Sequence, residues 1–282
     1  MLAPHATHHL QNIAASIRKD TILMLQKAGS GHTAGALGMT DVFSALYFVL
    51  LNHRPDEPNW PGRDYVFLSS GHINPVLYAT LSEAGYFDKQ ELSTLRQINS
   101  RLQGHPHLGS LPGIESTSGP LGQGLSQAAG LALGLKMDGE PNRVYCLMSD
   151  AEQQEGQVWE AYMLIAKYRL NNLTIFIDRN NIQIGGKTED VMPLESLSAK
   201  LKNFGLRVSE IDGHNFEEII DAAREAQSFK EGATVIICNT TSGKGVSFME
   251  NKFEWHGKVP DESQTRKAIE EIDIKLREIQ SE

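Results

Sequence analysis

The stretch "RVYCLMSDAEQQEGQVWEAYMLIAKYRLNNLTIFIDRNN", residues 143–181, decides the fold. An apolar run (143–149) ends on Ser149–Asp150, a polar turn follows, a helix-like segment spans 156–170, and a second apolar run covers 173–179. Two short apolar strands joined by a helix of this length read as a parallel βαβ unit, because parallel neighbours need a long crossover. Runs that are apolar throughout, not alternating, belong to strands buried on both faces.

The same rhythm continues on either side. Residues 8–27 read as an amphipathic helix broken by Gly29 and Gly31, and 40–51 as a second helix capped by Thr40 or Asp41. A strand is expected at 64–70, then a helix in "INPVLYATLSEAGY", then many turns across 88–118. Further on come a helix at 125–137, a helix in "LESLSAKLKNF", a strand at 206–212, a helix in "FEEIIDAAREAQ", a strand at 233–240 and a charged terminal helix at 261–281. The expected fold is α/β, a parallel sheet with helices on both faces and right-handed crossovers. No repeat or Pro/Ser-rich linker divides the chain, so one domain over 1–282 is expected.

A formal net charge of −9 argues against nucleic acid as a partner, since a phosphate backbone demands a basic face. No apolar run approaches the 18 residues of a membrane span, and "MLAPHATHHLQNIAAS" is unlike a signal peptide, so a cytoplasmic location is expected. Cys146 and Cys238 both sit in apolar runs and read as small buried hydrophobes.

A strand that merely needed to stop would use Gly, Pro or Asn. Asp150 instead stands at the carboxyl end of one strand, and thirty positions on Asp178, Asn180 and Asn181 stand at the end of the next. Carboxylate, carboxamide and main-chain oxygens meeting there suit Mg²⁺, with a substrate phosphate completing the shell. A helix starting near Gln157 would add its positive N-terminus. Taken singly, Asp150 reads equally as a helix cap and Asn180–Asn181 as a turn; their pairing at one sheet edge favours the ligand site. "SGPLGQGLSQAAG" (118–130) is a glycine loop opening a helix, a weak anion-binding signal alone.

Four of ten histidines, His32, His72, His105 and His256, lie in glycine-flanked loops, where phosphate contact or proton transfer is a better reading than simple solvation. His5, His8 and His9 read as a mobile N-terminal cluster, and His214 as part of a strand-to-helix turn of open role. "GSGHTAG" (29–35) follows a helix and is no dinucleotide loop, and "TTSGKG" (240–245) lacks the spacing of a P-loop.

These motifs, with "AGSGHTAGALGMTD", "LSSGHINPVLYATL", "GHP", "IDGHN" and "TTSGKGVSFMENKFEWHGKVP" in the same order, resemble the landmarks of transketolases over roughly residues 10–262. The chain is about half the length of those enzymes and looks like the thiamine-diphosphate-binding subunit of a two-subunit transketolase. The resemblance implies that Asp150, Asn180 and the Ile182 carbonyl hold Mg²⁺. It implies cofactor contacts from His72, Ala151, Glu152, Asn180 and His256, with Gly119, Pro120 and Leu121 on the aminopyrimidine side. His32, His105 and His256 would face the sugar as catalytic groups. Glu155 and Glu160 would stand at a subunit interface, with the Met- and Leu-rich segment 161–170 beside them.

The implied activity is transfer of a two-carbon ketol unit from a ketose to an aldose, these being sugars or sugar phosphates, in an α₂β₂ assembly. The partner would supply the pyrimidine-binding half, including the glutamate that activates the cofactor. The sequence departs from the family where Ser149 and Ala151 replace glycines and Thr33 replaces a proline, which leaves a non-standard sugar open. Two rival readings are a diphosphate-binding subunit of another thiamine-diphosphate enzyme (2-oxo acid dehydrogenase or deoxyxylulose-phosphate synthase type) and a non-catalytic regulatory subunit.

Overall fold

In a computed structural model that describes residues 4–281, five strands lie side by side, all parallel. Their order is Tyr65–Leu68 (β1), Val144–Ser149 (β2), Leu173–Arg179 (β3), Thr234–Asn239 (β7) and Arg207–Asp212 (β6). The expected α/β fold is therefore the observed one. The register sets Ser149 opposite Asp178, and Asp150 N donates to the Asp178 carbonyl at 3.0 Å, so both acidic strand ends share one edge of the sheet.

Both faces are covered. Leu68, Tyr145, Leu147, Phe176 and Ile236 point into one core with Pro4–Ala28 (α1), Thr40–Ala45 (α3), Asn74–Glu83 (α4) and Phe216–Ser228 (α9). Phe67, Cys146, Met148, Ile175 and Ile237 point into the other, with Gln123–Asp138 (α5), Gly156–Tyr168 (α6) and Leu197–Asn203 (α8). Alternate side chains of one strand thus feed two cores, as a strand's period of two requires. Glu262–Ser281 (α10) packs on α1 around Ala15, Ile22, Trp255, Ala268 and Ile272. Cys146 and Cys238 are buried and free.

Four expectations need correction. The segment 40–51 is not one helix: Ala34–Gly38 (α2) precedes α3, which passes into a wider π turn, Leu46–Leu50. Neither Thr40 nor Asp41 caps it. Asp41 instead is buried and accepts from Arg18 at 2.5 Å and His214 Nδ1 at 2.8 Å, a long-range pairing invisible to local pattern. Burial alone would raise the Asp41 carboxyl, but the Arg18 charge and the two hydrogen bonds outweigh it and hold it low. His5, His8 and His9 lie within α1 rather than in a loose cluster. A small hairpin, Ile182–Gln183 (β4) and Gly186–Lys187 (β5), followed by Thr188–Val191 (α7), extends past Asn180–Asn181, where only a turn is expected; two-residue strands carry no periodicity to detect.

Candidate functional site

All five strands end at the same edge, and there the loops enclose a cavity of about 380 Å³. Its wall includes His32, His72, His105 and His256, Gly119 and Leu121, Ser149 and Ala151, Glu155, Asp178, Asn180 and Ile182. Residues separated by more than 200 positions thus meet because parallel strands bring all their carboxyl ends to one side.

The three rings of His32, His72 and His256 form a triangle, with centroids 5.0, 5.4 and 5.3 Å apart. Thr33 Oγ1 donates to the Lys258 carbonyl at 2.7 Å, and this bond ties the His32 loop to the His256 loop. His105 packs beside Gly119, where an added Cβ would stand 3.5 Å from the ring. Burial drives the His32 imidazole down to about 4, helped by the nearby charges of His256, Arg96 and His105. It drives His72 down to about 3, with help from His256, His32 and His105. His105 and His256 shift the same way, again chiefly through burial. At neutral pH His32 and His72 are therefore neutral, each with one nitrogen to accept and one to donate.

These shifts fix a pH dependence of stability. The folded His32 and His72 resist protonation to about 4 and about 3, whereas an unfolded imidazole takes a proton near 6.5. Below 6.5 the unfolded chain binds more protons, so this contribution to stability is lost as pH falls toward 4. Asp178 acts in the opposite sense. Burial first, and the charge of Asp150, push its carboxyl up to about 7, while hydrogen bonds from Thr240 and Asn180 pull it down. A His32→Asn/His72→Asn double variant is expected to lose less stability than the wild type between pH 7 and 4.5 in chemical denaturation. Equal losses would show that the two imidazoles are not held neutral.

Hydrogen bonds within the protein hold the strand-end oxygens. Asp150 is fully buried: Oδ1 accepts from Ala151 N at 2.7 Å, and Oδ2 accepts from Arg179 at 3.1 Å and Asn181 N at 2.9 Å. Asn180 accepts from Ile182 N at 2.9 Å and donates to Asp178 at 2.7 Å. The turn directly after β2 is the short 3₁₀ segment Ala151–Gln154, so α6 begins one turn further on than a helix opening straight from the strand. Among the described residues no group of three His, Cys, Asp or Glu side chains is placed to hold a metal. A cation here would take one carboxylate, one carboxamide and a main-chain carbonyl, the oxygen set that hard cations prefer. Buried polar atoms without partners, His32 Nδ1, Ser70 Oγ and Gln183 Oε1, sit on residues of the cavity wall. That cavity, rich in hydrogen-bonding groups, fits a phosphorylated cofactor.

Not every residue named from the sequence lines the wall. Pro120 is exposed beside it. Glu152 is fully buried behind it, where Oε1 accepts from Ser69 Oγ at 2.5 Å and Gly122 N at 2.8 Å, and Oε2 from Ser149 N at 2.8 Å. It thus holds the 119–122 loop against the ends of β1 and β2. Glu160 is exposed on α6, as is Glu155 just before it, and Met163, 64% exposed, follows on the same helix. Gln183, Ile184 and Gly185 of the β4–β5 hairpin reach the cavity and went unnoticed in the sequence; the paired glycines at 185–186 were the available signal.

A family model described as the transketolase thiamine diphosphate binding domain matches residues 9–276. The chain is 42% identical to a 6-deoxy-6-sulfo-D-fructose transketolase subunit of Clostridium sp. (strain MSTE9), over 94% of this chain and 96% of that one. It is 39% identical to an apulose-4-phosphate transketolase subunit of Phocaeicola vulgatus, over 94% of each. Against human transketolase it is 34% identical, but covers only 42% of that longer protein. Among solved structures, transketolase from Campylobacter jejuni superposes with a TM-score of 0.83 at 30% identity, over 96% of this chain and 48% of the other. The chain spans nearly the full length of the separate-subunit relatives and less than half of the full-length enzymes. It belongs to the transketolase family of transferases, as a subunit built on that family's thiamine-diphosphate-binding N-terminal domain.

Proposed function

We propose that the chain, acting as a single diphosphate-binding domain, is one half of a two-subunit transketolase that moves a two-carbon ketol unit between sugars or sugar phosphates. The observation that carries this reading is the convergence of His32, His72, His105 and His256 with Ala151, Asn180 and Ile182 on one cavity at the sheet edge. Asp150, Asn180 and the Ile182 carbonyl would hold Mg²⁺. His72, Ala151, Asn180 and His256 would bind the diphosphate, with Gly119, Pro120 and Leu121 toward the aminopyrimidine. Glu152 would act on the cofactor through the 119–122 loop that it holds. When bound, thiamine diphosphate supplies the electron sink for breaking and forming a carbon–carbon bond beside a carbonyl. His32, His105 and His256, as neutral imidazoles, would then accept and return the protons of sugar hydroxyls.

Relatives of the same length are named as subunits, which supports a partner supplying the other half in an α₂β₂ assembly, with Glu155, Glu160 and the exposed face of α6 between chains. The same relatives are named for 6-deoxy-6-sulfo-D-fructose and apulose 4-phosphate, which supports a sugar outside the common pentose-phosphate pair. Native isolation from the source cells tests the whole reading. A stoichiometric partner of about 300 residues, and ketol transfer by the complex with thiamine diphosphate and Mg²⁺, are expected. Pyruvate decarboxylation by that complex, or no partner at all, would overturn it.

A further inference from the structure

Arg179 has no part in the reading above, yet it is among the most enclosed charges in the protein. Its side chain is 5% exposed, and it grips three carboxylates at once: Asp150 through Nη1 at 3.1 Å, and Glu189 and Glu195 through Nη2 at 2.6 and 2.7 Å. Glu189 in turn accepts from the main-chain N–H groups of Leu194 and Glu195 at 3.0 to 3.3 Å. On the other side, Asp150 Oδ2 accepts from Asn181 N at 2.9 Å and Thr188 Oγ1 at 3.3 Å, and Thr188 N donates to the Asn181 carbonyl at 3.0 Å. Residues 181 and 188 flank the β4–β5 hairpin, whose Ile182, Gln183, Ile184 and Gly185 line the cavity. One buried oxygen and one guanidinium therefore close the neck of the hairpin.

We propose that Arg179 is a positioning residue: it holds the Asp150 carboxylate through Oδ2, leaves Oδ1 to the Ala151 N–H, and seals the hairpin neck, so that cation binding and hairpin placement are a single event. The metal half of this inference rests on the assignment of Asp150 as a cation ligand made above. A planar fork with donors in fixed directions suits three carboxylates in a way that a lysine ammonium does not. Groups that only orient a metal ligand typically change metal affinity by about 10–100-fold when removed.

The test uses the full chain and three variants, Arg179→Met, Arg179→Lys and Asp150→Ala. Amide hydrogen exchange needs neither metal nor partner and decides the positioning role. Arg179→Met is expected to speed exchange at Asn181 and Thr188 by at least about tenfold, with Arg179→Lys close behind and the β2 and β7 amides unchanged. Unchanged protection at 181 and 188, or a uniform rise across the sheet, would overturn it. Mn²⁺ titration of the complex with the partner subunit in the presence of thiamine diphosphate, followed by electron paramagnetic resonance, supplies the second readout. The half-saturating concentration is expected to rise about 10–100-fold in Arg179→Met and binding to disappear in Asp150→Ala. Loss in Asp150→Ala with no change in Arg179→Met would remove Arg179 from the metal's support while leaving the ligand assignment standing. Equal behaviour of wild type and all variants would instead remove the ligand assignment, and hydrogen exchange alone would then judge Arg179.

Discussion

Asp150→Ala is expected to abolish Mg²⁺-dependent retention of thiamine diphosphate by the complex of this chain with its partner. The carboxylate is fully buried at the end of β2, its Oδ1 is engaged only by Ala151 N, and the Asn180 carboxamide stands at the end of the adjacent strand. Asp178, the carboxylate at the end of the adjacent strand, is already engaged by Thr240 and Asn180. Equilibrium dialysis with and without Mg²⁺ should show a loss of more than about 100-fold, beyond the range for groups that merely orient a ligand. The substitution also leaves Arg179 in its buried place with only Glu189 and Glu195, so some stability will go with it. Asp150→Asn separates the two effects. It keeps the shape and one oxygen acceptor, and it should stay folded while still losing metal-dependent binding. Unchanged cofactor affinity in both variants would refute the ligand assignment.

Glu152→Ala should be the most damaging single change to the fold near the site. The carboxylate satisfies three buried donors that belong to three separate segments: Ser69 after β1, Gly122 before α5, and Ser149 at the end of β2. Each donor left without a partner in the interior costs about 1–3 kcal/mol, which gives a combined loss on the order of 3–5 kcal/mol, a range reserved for broken buried networks. Gly124 sharpens the constraint, because an added Cβ would lie 2.5 Å from Ser69 Cβ, so the helix start cannot slide inward to fill the gap. The melting temperature is expected to fall by roughly 10 °C, at about 2–4 °C per kcal/mol for a chain of this size. Glu152→Gln retains one acceptor oxygen but turns an N–H₂ group toward donors, and should fall between. A drop of only a degree or two in Glu152→Ala would mean that water or a shifted backbone takes over the three bonds.

Part of the site was legible because its residues carry their chemistry in their local context. Asp150 ends a strand with no need for an acid there, and the glycine-flanked histidines stand in loops where a bland sequence would put polar turn formers. Glu152 was legible as an acid near the site but not as a bracket, since its partners lie 83 and 30 positions away. Asp41 looked like a helix cap for the same reason. Local pattern assigns a polar residue at a helix start to the helix, whereas the folded chain gives Asp41 to Arg18 and His214.

The sequence alone determined the layering and the edge at which the site lies. Apolar runs buried on both faces, separated by helices of the right length, leave little choice but a parallel sheet, and a parallel sheet puts every strand's carboxyl end on the same side. Tertiary structure alone decided which of the polar residues at that edge face the cavity and which stand behind it. His32, His72 and His256 are brought within about 5 Å of one another only when three distant loops close. Arg179 and the hairpin it seals escaped detection because an arginine at the end of a strand, and strands of two residues, have no periodic or compositional signature. Their roles come from burial and from three carboxylates converging on one guanidinium, and burial is a property of the whole packed chain.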